Sequence, residues 1–237
     1  MSSWRCGWCT VVAVLVLAPL AVAGPVVIES FDSGSLASYT FLDGFAAQPY
    51  TSAAAAHDGP YGAVMQNEWW MYRNDPAVHV AQGDVLSAWV QFAGTANARA
   101  YFGFGASAAG TLSFVLAPNT GDIRFQENAG YGYAELNTSS QGFLADHWYR
   151  MEVIWGLGGL LTGKLYDSDG TTLLNTVSAT SNLYTSGGIA FRGFEDLKYF
   201  DTITREAGVP EPSTGALVVL GIGLGGLAGY RRRRAGR

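Results

Sequence analysis

Residues 148–155 read WYRMEVIW, and this stretch decides the fold class. Every second residue from Tyr149 to Trp155 is apolar or aromatic, whereas the charged Arg150 and Glu152 lie between them. Side chains of a β-strand point alternately to opposite faces, so a period of two indicates a strand with one buried face. We therefore predict a strand here that covers a hydrophobic core.

The same period of two recurs on both sides of this segment. Further strands are predicted over residues 84–92, 99–104, 112–116, 123–125, 189–191 and 199–203. Pro118-Asn119-Thr120-Gly121 and Asp167-Ser168-Asp169-Gly170 have the composition of tight turns. No repeat of 20–50 residues is evident, which argues against a propeller or solenoid. The pattern predicts an all-β sandwich or jelly roll, in which two sheets each bury one face.

Composition and charge limit the classes of function. Charged residues make up 14% of the 237 residues, and the formal net charge is −5. Residues 24–208 contain 18 acidic and eight basic side chains, a charge near −10. This acidity argues against nucleic acid as a partner. Both cysteines, Cys6 and Cys9, precede residue 24, so this segment has no thiol.

The first 23 residues have the features of a secretory signal peptide. Arg5 supplies a positive charge, an apolar run covers residues 11–20, and Ala21-Val22-Ala23 is a cleavage site between small residues. The run is too short to span the roughly 30 Å hydrocarbon core of a bilayer, which argues against the alternative of a permanent anchor. We predict that the protein is exported and that the mature chain begins at Gly24.

The C-terminal segment has three parts in a fixed order. Pro210-Glu211-Pro212 lies in a linker predicted over 206–213, and an uncharged stretch follows. A transmembrane helix with an arginine-rich tail is predicted over 214–237. The tail contains Arg231, Arg232, Arg233 and Arg234, which the positive-inside rule retains in the cytoplasm.

These three parts closely resemble the PEP-CTERM sorting signal. The resemblance implies that an exosortase and the secretion machinery are partners. It also implies that the chain is anchored in the inner membrane before processing, and then reaches the cell surface or the extracellular matrix.

Residues 24–205 resemble concanavalin A-like jelly rolls of the laminin-G and glucanase type. The similar segments are Glu29-Ser30-Phe31-Asp32, Trp148–Val153, and Gly187–Phe191 with Tyr199–Asp201. The resemblance implies a jelly-roll β-sandwich whose first and last strands lie side by side and often share a calcium ion. In this chain Glu29 or Asp32, together with Asp201, would be the ligands of a structural Ca²⁺. The alternative is that they are surface or turn acids.

Catalytic motifs of this superfamily are absent from the sequence. Its glucanases are characterised by a Glu-x-Asp-x-x-Glu strand, and the chain has no such triplet. Glu195 and Asp196 are adjacent, and Asp167 and Asp169 lie in a turn. We predict that the protein is not an enzyme. A divergent carbohydrate-active enzyme is the second alternative.

Sugar binding is better supported, because sugars need flat aromatic faces and planar polar groups. Alternation points seven polar or aromatic side chains away from the core: Arg99, Tyr101, Arg124, Gln126, Arg150, Glu152 and Arg192. If their strands are neighbours, these side chains share one face. Two loops are predicted to add stacking platforms through Trp69, Trp70, Tyr72 and Arg73, and through Tyr131 and Tyr133.

The predicted function is therefore that of an exported, surface-sorted, carbohydrate-binding protein of the extracellular polysaccharide matrix. Arginine binds carboxylates with two parallel hydrogen bonds, so an acidic exopolysaccharide is one candidate ligand. In the competing interpretation the arginines pair with acids, Trp69 or Trp70 belongs to the core, and the protein is structural or adhesive without a sugar site.

Overall fold

The computed structural model describes residues 24–208. In chain order its strands are β1 (Val26–Glu29), β2 (Thr40–Leu42), β3 (Tyr50–Ser52), β4 (Gly62–Met65), β5 (Trp70–Arg73), β6 (Val80–Ala81), β7 (Val85–Phe92), β8 (Ala98–Ser107), β9 (Gly110–Ala117), β10 (Asp122–Ala129), β11 (Ala134–Ser140), β12 (Trp148–Trp155), β13 (Leu160–Tyr166), β14 (Leu173–Thr180), β15 (Ser186–Glu195) and β16 (Lys198–Glu206). Single-turn 3₁₀ helices cover Ala53–Ala55, Pro76–Val78 and Leu157–Gly159. The range 24–208 contains no helix long and apolar enough to cross a membrane. The predicted signal peptide and sorting helix lie outside the described residues.

The strands form two antiparallel sheets. Sheet A has the order β14-β13-β12-β7-β16-β4-β3, and β1 also pairs with β16. Sheet B has the order β11-β10-β9-β8-β15-β5-β2, and β6 also pairs with β15. The two sheets share one large core, which confirms the predicted all-β sandwich.

The core is built from the inward-facing half of each alternating strand. Tyr149, Met151, Val153 and Trp155 are all buried, as the period of WYRMEVIW predicts. Sheet B contributes mainly phenylalanine rings, namely Phe102, Phe104, Phe114, Phe125 and Phe191. Phe191 meets Phe200 of sheet A with ring centroids 5.0 Å apart. Each such burial stabilises the fold by about 1.5–3 kcal/mol.

Both predicted turns are present. Gly121 ends the β9–β10 turn at φ +68°, and its N–H donates to the carbonyl of Ala117 at 2.9 Å. Gly170 has the same φ in the β13–β14 turn and donates to the carbonyl of Asp167. Left-handed φ values favour glycine because it has no Cβ, which is why both turns end in this residue.

Two predicted local structures are wrong. The aromatic stretch predicted as a loop is strand β5, because Trp70 and Tyr72 point outward while Met71 enters the core. The predicted first strand ends at Glu29, because Phe31 turns inward at φ +56° to pack 5.7 Å from Phe191. The first and last strands do lie side by side, with Glu29 opposite Ile203.

Candidate functional site

The outward-pointing side chains of sheet B form a continuous surface, called the B face below. Strand register places Trp70 opposite Arg192, Arg192 opposite Tyr101, Tyr101 opposite Val115, and Val115 opposite Arg124. One row of large side chains therefore crosses five strands. This row arises because alternation in each strand coincides with the pairing register.

The neighbouring row of outward-pointing residues has small side chains in its centre. It runs from Tyr72 through Ala190, Gly103 and Ser113 to Gln126. A Cβ at Gly103 would come within 2.7 Å of the Ala190 Cβ, so these strands require a residue without a side chain there. The three small residues form a trough between the larger side chains of Tyr72 and Gln126.

The β10–β11 connection covers this trough. The Tyr131 ring lies 5.1 Å from that of Trp70 and 5.6 Å from that of Tyr72. Its hydroxyl donates to the Ser107 carbonyl at 2.8 Å, and burial raises the pKa of Tyr131, so the donor stays protonated. Tyr133 follows with 59% of its surface exposed. The strand residues at the centre of the B face are therefore buried, and tyrosine rings of the β10–β11 connection lie over them.

Of the thirteen residues that the sequence offers for a sugar-binding face and its loops, the structure brings nine together. Those on the B face or in the loop above it are Trp70, Tyr72, Arg99, Tyr101, Arg124, Gln126, Tyr131, Tyr133 and Arg192. The fold thus converts residues from five separate segments of sequence into one surface.

Arg192 lies at the centre of this surface with 3% exposure. Its Nη2 donates to Glu68 Oε2 at 3.1 Å. The guanidinium carbon is 4.9 Å from the Tyr133 ring centroid and 5.1 Å from that of Tyr101. Such cation–π contacts are strongest when desolvated. Arg192 therefore supports the exposed Tyr133 ring from below.

The other arginines of the B face are also paired. Arg124 donates to Asp122, Glu135 and Thr120. Burial opposes the charge of Asp122, but hydrogen bonds from Arg124 and Thr120 hold the pKa of that carboxyl below its ordinary value. Arg99 donates from Nε to the Asn119 side chain at 2.9 Å. Arg124 is thus neutralised by two carboxylates, whereas the hydrogen bond of Arg99 engages its Nε only.

Buried polar atoms without partners concentrate on this surface. In residues 24–208 five buried side-chain atoms have no hydrogen bond, and four of them are Trp70 Nε1, Arg192 Nε, Ser113 Oγ and Asn128 Oδ1. All four belong to outward-pointing residues of β5, β15, β9 and β10. An unpaired buried polar group costs about 1–3 kcal/mol, so natural structures keep few of them.

Two of the predicted sugar-binding residues lie elsewhere. Trp69 donates from Nε1 to the Phe45 carbonyl at 3.2 Å and packs so tightly on Gly44 that a Cβ there would be 2.1 Å from its ring. Arg73 points to the opposite side of β5, where it pairs with Glu29 at 2.9 Å and Asp75 at 2.5 Å.

The expectation of a single polar face is wrong for Arg150 and Glu152. Their strand, β12, pairs with β7 and β13, so they lie on the outer side of sheet A. Arg150 Nη1 pairs with Glu152 at 3.1 Å, and Lys164 Nζ pairs with the same carboxylate at 3.1 Å. Alternation identifies outward residues but not the sheet to which they belong.

The structure does not gather the three predicted calcium ligands, Glu29, Asp32 and Asp201, into one group. Glu29 accepts hydrogen bonds from Arg73 and Tyr39, which already balance its charge. Asp201 accepts from the backbone N–H groups of His57, Asp58 and Thr202. Over residues 24–208 the His, Cys, Asp and Glu side chains form no group of three or more suited to a metal ion.

Sequence reasoning missed several residues of the B face. Asn128 continues the outward alternation of Arg124 and Gln126, and Ser113 alternates with core residues of β9, so both could have been found from period alone. Glu68 had no such signal, because it meets Arg192 across 124 positions of sequence.

The sandwich is similar to several solved structures. A Bacillus subtilis protein of unknown function with galectin-like fold matches with a TM-score of 0.56 and 10% identity, over 81% of this chain and 99% of that one. The carbohydrate-binding module CBM66 from Bacillus subtilis matches with a TM-score of 0.53 and 11% identity, over 71% and 95%. The Ca²⁺-bound exoplasmic/lumenal domain of VIP36 matches with a TM-score of 0.53 and 14% identity, over 76% and 88%.

At these identities the similarity shows the fold alone. No curated protein sequence matches the chain significantly. The C-terminal segment, by contrast, matches a described sorting motif and confirms the resemblance seen in the sequence. Residues 208–234 carry the PEP-CTERM protein-sorting motif, and the domain before it is an antiparallel β-sandwich of the galectin and concanavalin A-like type.

Proposed function

We propose that this protein is an exported, surface-sorted and non-catalytic β-sandwich that binds carbohydrate on its B face. The observation that carries the proposal is the convergence of aromatic and polar side chains on that single face, with unpaired polar atoms beneath it. Ligand sites typically combine an apolar or aromatic lining with a few placed polar groups.

Tyr133 is the residue best placed to stack on a sugar. It is 59% exposed, and its ring is held over the Arg192 guanidinium. Glu68 pairs with Arg192 beneath the Tyr133 ring, and Glu135 pairs with Arg124 on the same face, so both carboxylates are held in place. A hydroxylated ring on Tyr133 would meet these acceptors at its edge.

The charge distribution favours a neutral glycan over an acidic one. Arg124 and Arg192 are each engaged by carboxylates, and residues 24–208 carry a charge near −10. A polyuronate would be repelled by this field, and the guanidinium groups of Arg124 and Arg192 already have carboxylate partners. The exopolysaccharide partner is therefore proposed to be neutral along the bound stretch.

The sorting motif supports export, with an exosortase and the inner membrane as partners. In this proposal Pro210, Glu211 and Pro212 form the accessible motif, while the tail from Arg231 to Arg234 holds the chain in the membrane until processing. Deleting residues 210–212 should leave the protein in the inner-membrane fraction. An identical distribution of deleted and intact protein between cell fractions would contradict the sorting role.

The binding test uses residues 24–208, which contain both sheets and their shared core and so form a folding unit. The fragment is passed over immobilised neutral and acidic polysaccharides. Tyr133→Ala should weaken retention at least about tenfold, the loss expected from about 1.4 kcal/mol of contact. The matched control is Tyr50→Ala, an exposed tyrosine of β3 in sheet A, which should bind like wild type.

Three outcomes would contradict the proposal. Binding to no polysaccharide would favour a structural or adhesive protein, which the exposed Leu157, Leu160 and Leu183 would suit. Equal retention of both tyrosine variants would exclude the B face. Release of reducing ends from a bound glycan would show that the protein is a carbohydrate-active enzyme.

A further inference from the structure

Tyr131 fills the middle of the B face with its own side chain. Its ring contacts Trp70 and Tyr72 on β5, and its hydroxyl reaches the carbonyl of Ser107 on β8. Strand β15 lies between β5 and β8, and its Ala190 belongs to the same apolar cluster as Tyr131. A six-membered ring of the chain itself thus occupies the trough.

Backbone and side-chain hydrogen bonds hold the loop over the trough. The Gly130 N–H donates to the Ala109 carbonyl at 2.7 Å, and the Tyr131 and Gly132 N–H groups close the turn on Asn128 and Ala129 at 3.0 Å. The two side-chain hydrogen bonds of the loop run from Tyr131 to Ser107 at 2.8 Å and from Asn128 Nδ2 to the Gly132 carbonyl at 2.6 Å. Tyr131 has a φ of +63° and Gly130 one of +55°. A bulky L-residue is strained in this left-handed region, so the covering conformation stores energy that its release would recover.

The surface beneath Tyr131 has more hydrogen-bonding groups than the Tyr131 side chain satisfies. Asn128 Oδ1 is an unpaired acceptor, Ser113 Oγ can serve as donor or acceptor, and the Trp70 indole N–H lies close to the Tyr133 hydroxyl. All three residues are at most 1% exposed. The single hydroxyl of Tyr131 is used on Ser107 and satisfies none of them. A ring carrying several hydroxyls would match this set.

We propose that the trough beneath Tyr131 is a subsite for a neutral pyranose ring, which enters by displacing the Tyr131 side chain. The subsite rests on the proposed carbohydrate-binding function and extends it. The sugar ring lies where the tyrosine ring lay, between Tyr72 and the Ser113 side, and its hydroxyls pair with the free polar atoms. The apparent affinity of the wild type is then the affinity of the open trough multiplied by the fraction of molecules in which Tyr131 has left it.

The test compares Tyr131→Gly with wild type, because glycine suits the positive φ at this position. The probes are the methyl pyranosides of glucose, galactose and mannose, with p-cresol as a mimic of the removed side chain. Tyr184→Ala is the matched control, since its hydroxyl also donates to a loop carbonyl, that of Ala109, at 2.6 Å. At least one methyl pyranoside should bind Tyr131→Gly about tenfold more tightly than wild type, and should raise its melting temperature.

The proposal is overturned if p-cresol stabilises Tyr131→Gly while none of the pyranosides does, because the trough is then only an aromatic slot. Pyranoside binding that is equal in Tyr131→Gly, Tyr184→Ala and wild type overturns it as well. If Tyr131→Gly does not fold, Tyr131→Phe removes only the hydrogen bond to Ser107 and should still bind several-fold more tightly than wild type; unchanged binding overturns the subsite. The dependence of wild-type retention on Tyr133 is measured separately, so either proposal can fail while the other stands.

Discussion

The two outer faces of the sandwich are built from the same alternating pattern but end in different environments. The outer side of sheet A, called the A face below, presents Trp89 partly exposed, with the His57 ring stacked on it at 3.9 Å. Its charged residues Arg150, Glu152 and Lys164 pair with one another near solvent. On the B face, Trp70 and Arg192 are almost fully buried.

The difference lies in what crosses each sheet, not in the strands themselves. The loop from Gly130 to Tyr133 and the segment containing Glu68 cover the B face, and they desolvate side chains that alternation alone would place in water. The A face keeps a partly solvated ion network. An outward position in a strand therefore does not mean an exposed one.

The largest expected effect separates the two outward tryptophans. Trp70→Ala should lower the free energy of unfolding by about 3–5 kcal/mol, because it leaves a cavity in a buried cluster. Trp89→Ala should cost roughly half as much, since its ring is partly exposed. Urea unfolding of both variants measures the difference. Equal losses would show that the two faces are desolvated alike.

Removing one carboxylate from each face should give a smaller difference in the free energy of unfolding. Glu68→Gln leaves the buried Arg192 without its counterion and should cost about 2 kcal/mol, less than for a fully buried pair because Glu68 is partly exposed. Glu152→Gln leaves Arg150 and Lys164, whose side chains are 23% and 29% exposed and can be solvated by water, and it should cost about 1 kcal/mol. The second loss should shrink in high salt, and the first should persist. Thermal melts at low and high salt test both statements.

The hairpin that joins β15 of sheet B to β16 of sheet A should make the free energy of unfolding depend on pH. Burial lowers the pKa of Lys198 to about 7, although the ammonium donates to the carbonyls of Phe194 and Asp196. The unfolded lysine titrates near 10.4, so between these values the unfolded state binds more protons. Stability should therefore rise with pH from about 7 to 10, with a slope of at most about 1.4 kcal/mol per unit. In Lys198→Met this rise should disappear, and an unchanged slope would refute the assignment.

Much of this organisation follows from the sequence. Period two in WYRMEVIW gave the strand, its buried face and the all-β class, and two glycine-ended turns gave correct strand boundaries. The period also identified Arg99, Tyr101 and Arg192 as outward before any pairing was known.

The remainder depends on long-range contacts that no local pattern encodes. Alternation alone leaves Arg150 and Arg192 as candidates for one face, because it does not show which strands are neighbours. Trp70 was assigned to a loop because β5 is only four residues long. The pairing of Arg192 with Glu68 and the covering by Tyr131 arise only when distant segments meet.

The central claim is that carbohydrate binds on the B face, and amide chemical-shift mapping of residues 24–208 tests it most directly. The polysaccharide that retains the fragment is cut into soluble oligosaccharides, which are titrated into the labelled protein. We expect shifts confined to Trp70–Arg73, Gly130–Tyr133 and the neighbours of Arg192 in β15 and β8. Shifts centred on Trp89 and Arg150 of the A face, or none at saturating oligosaccharide, would contradict it.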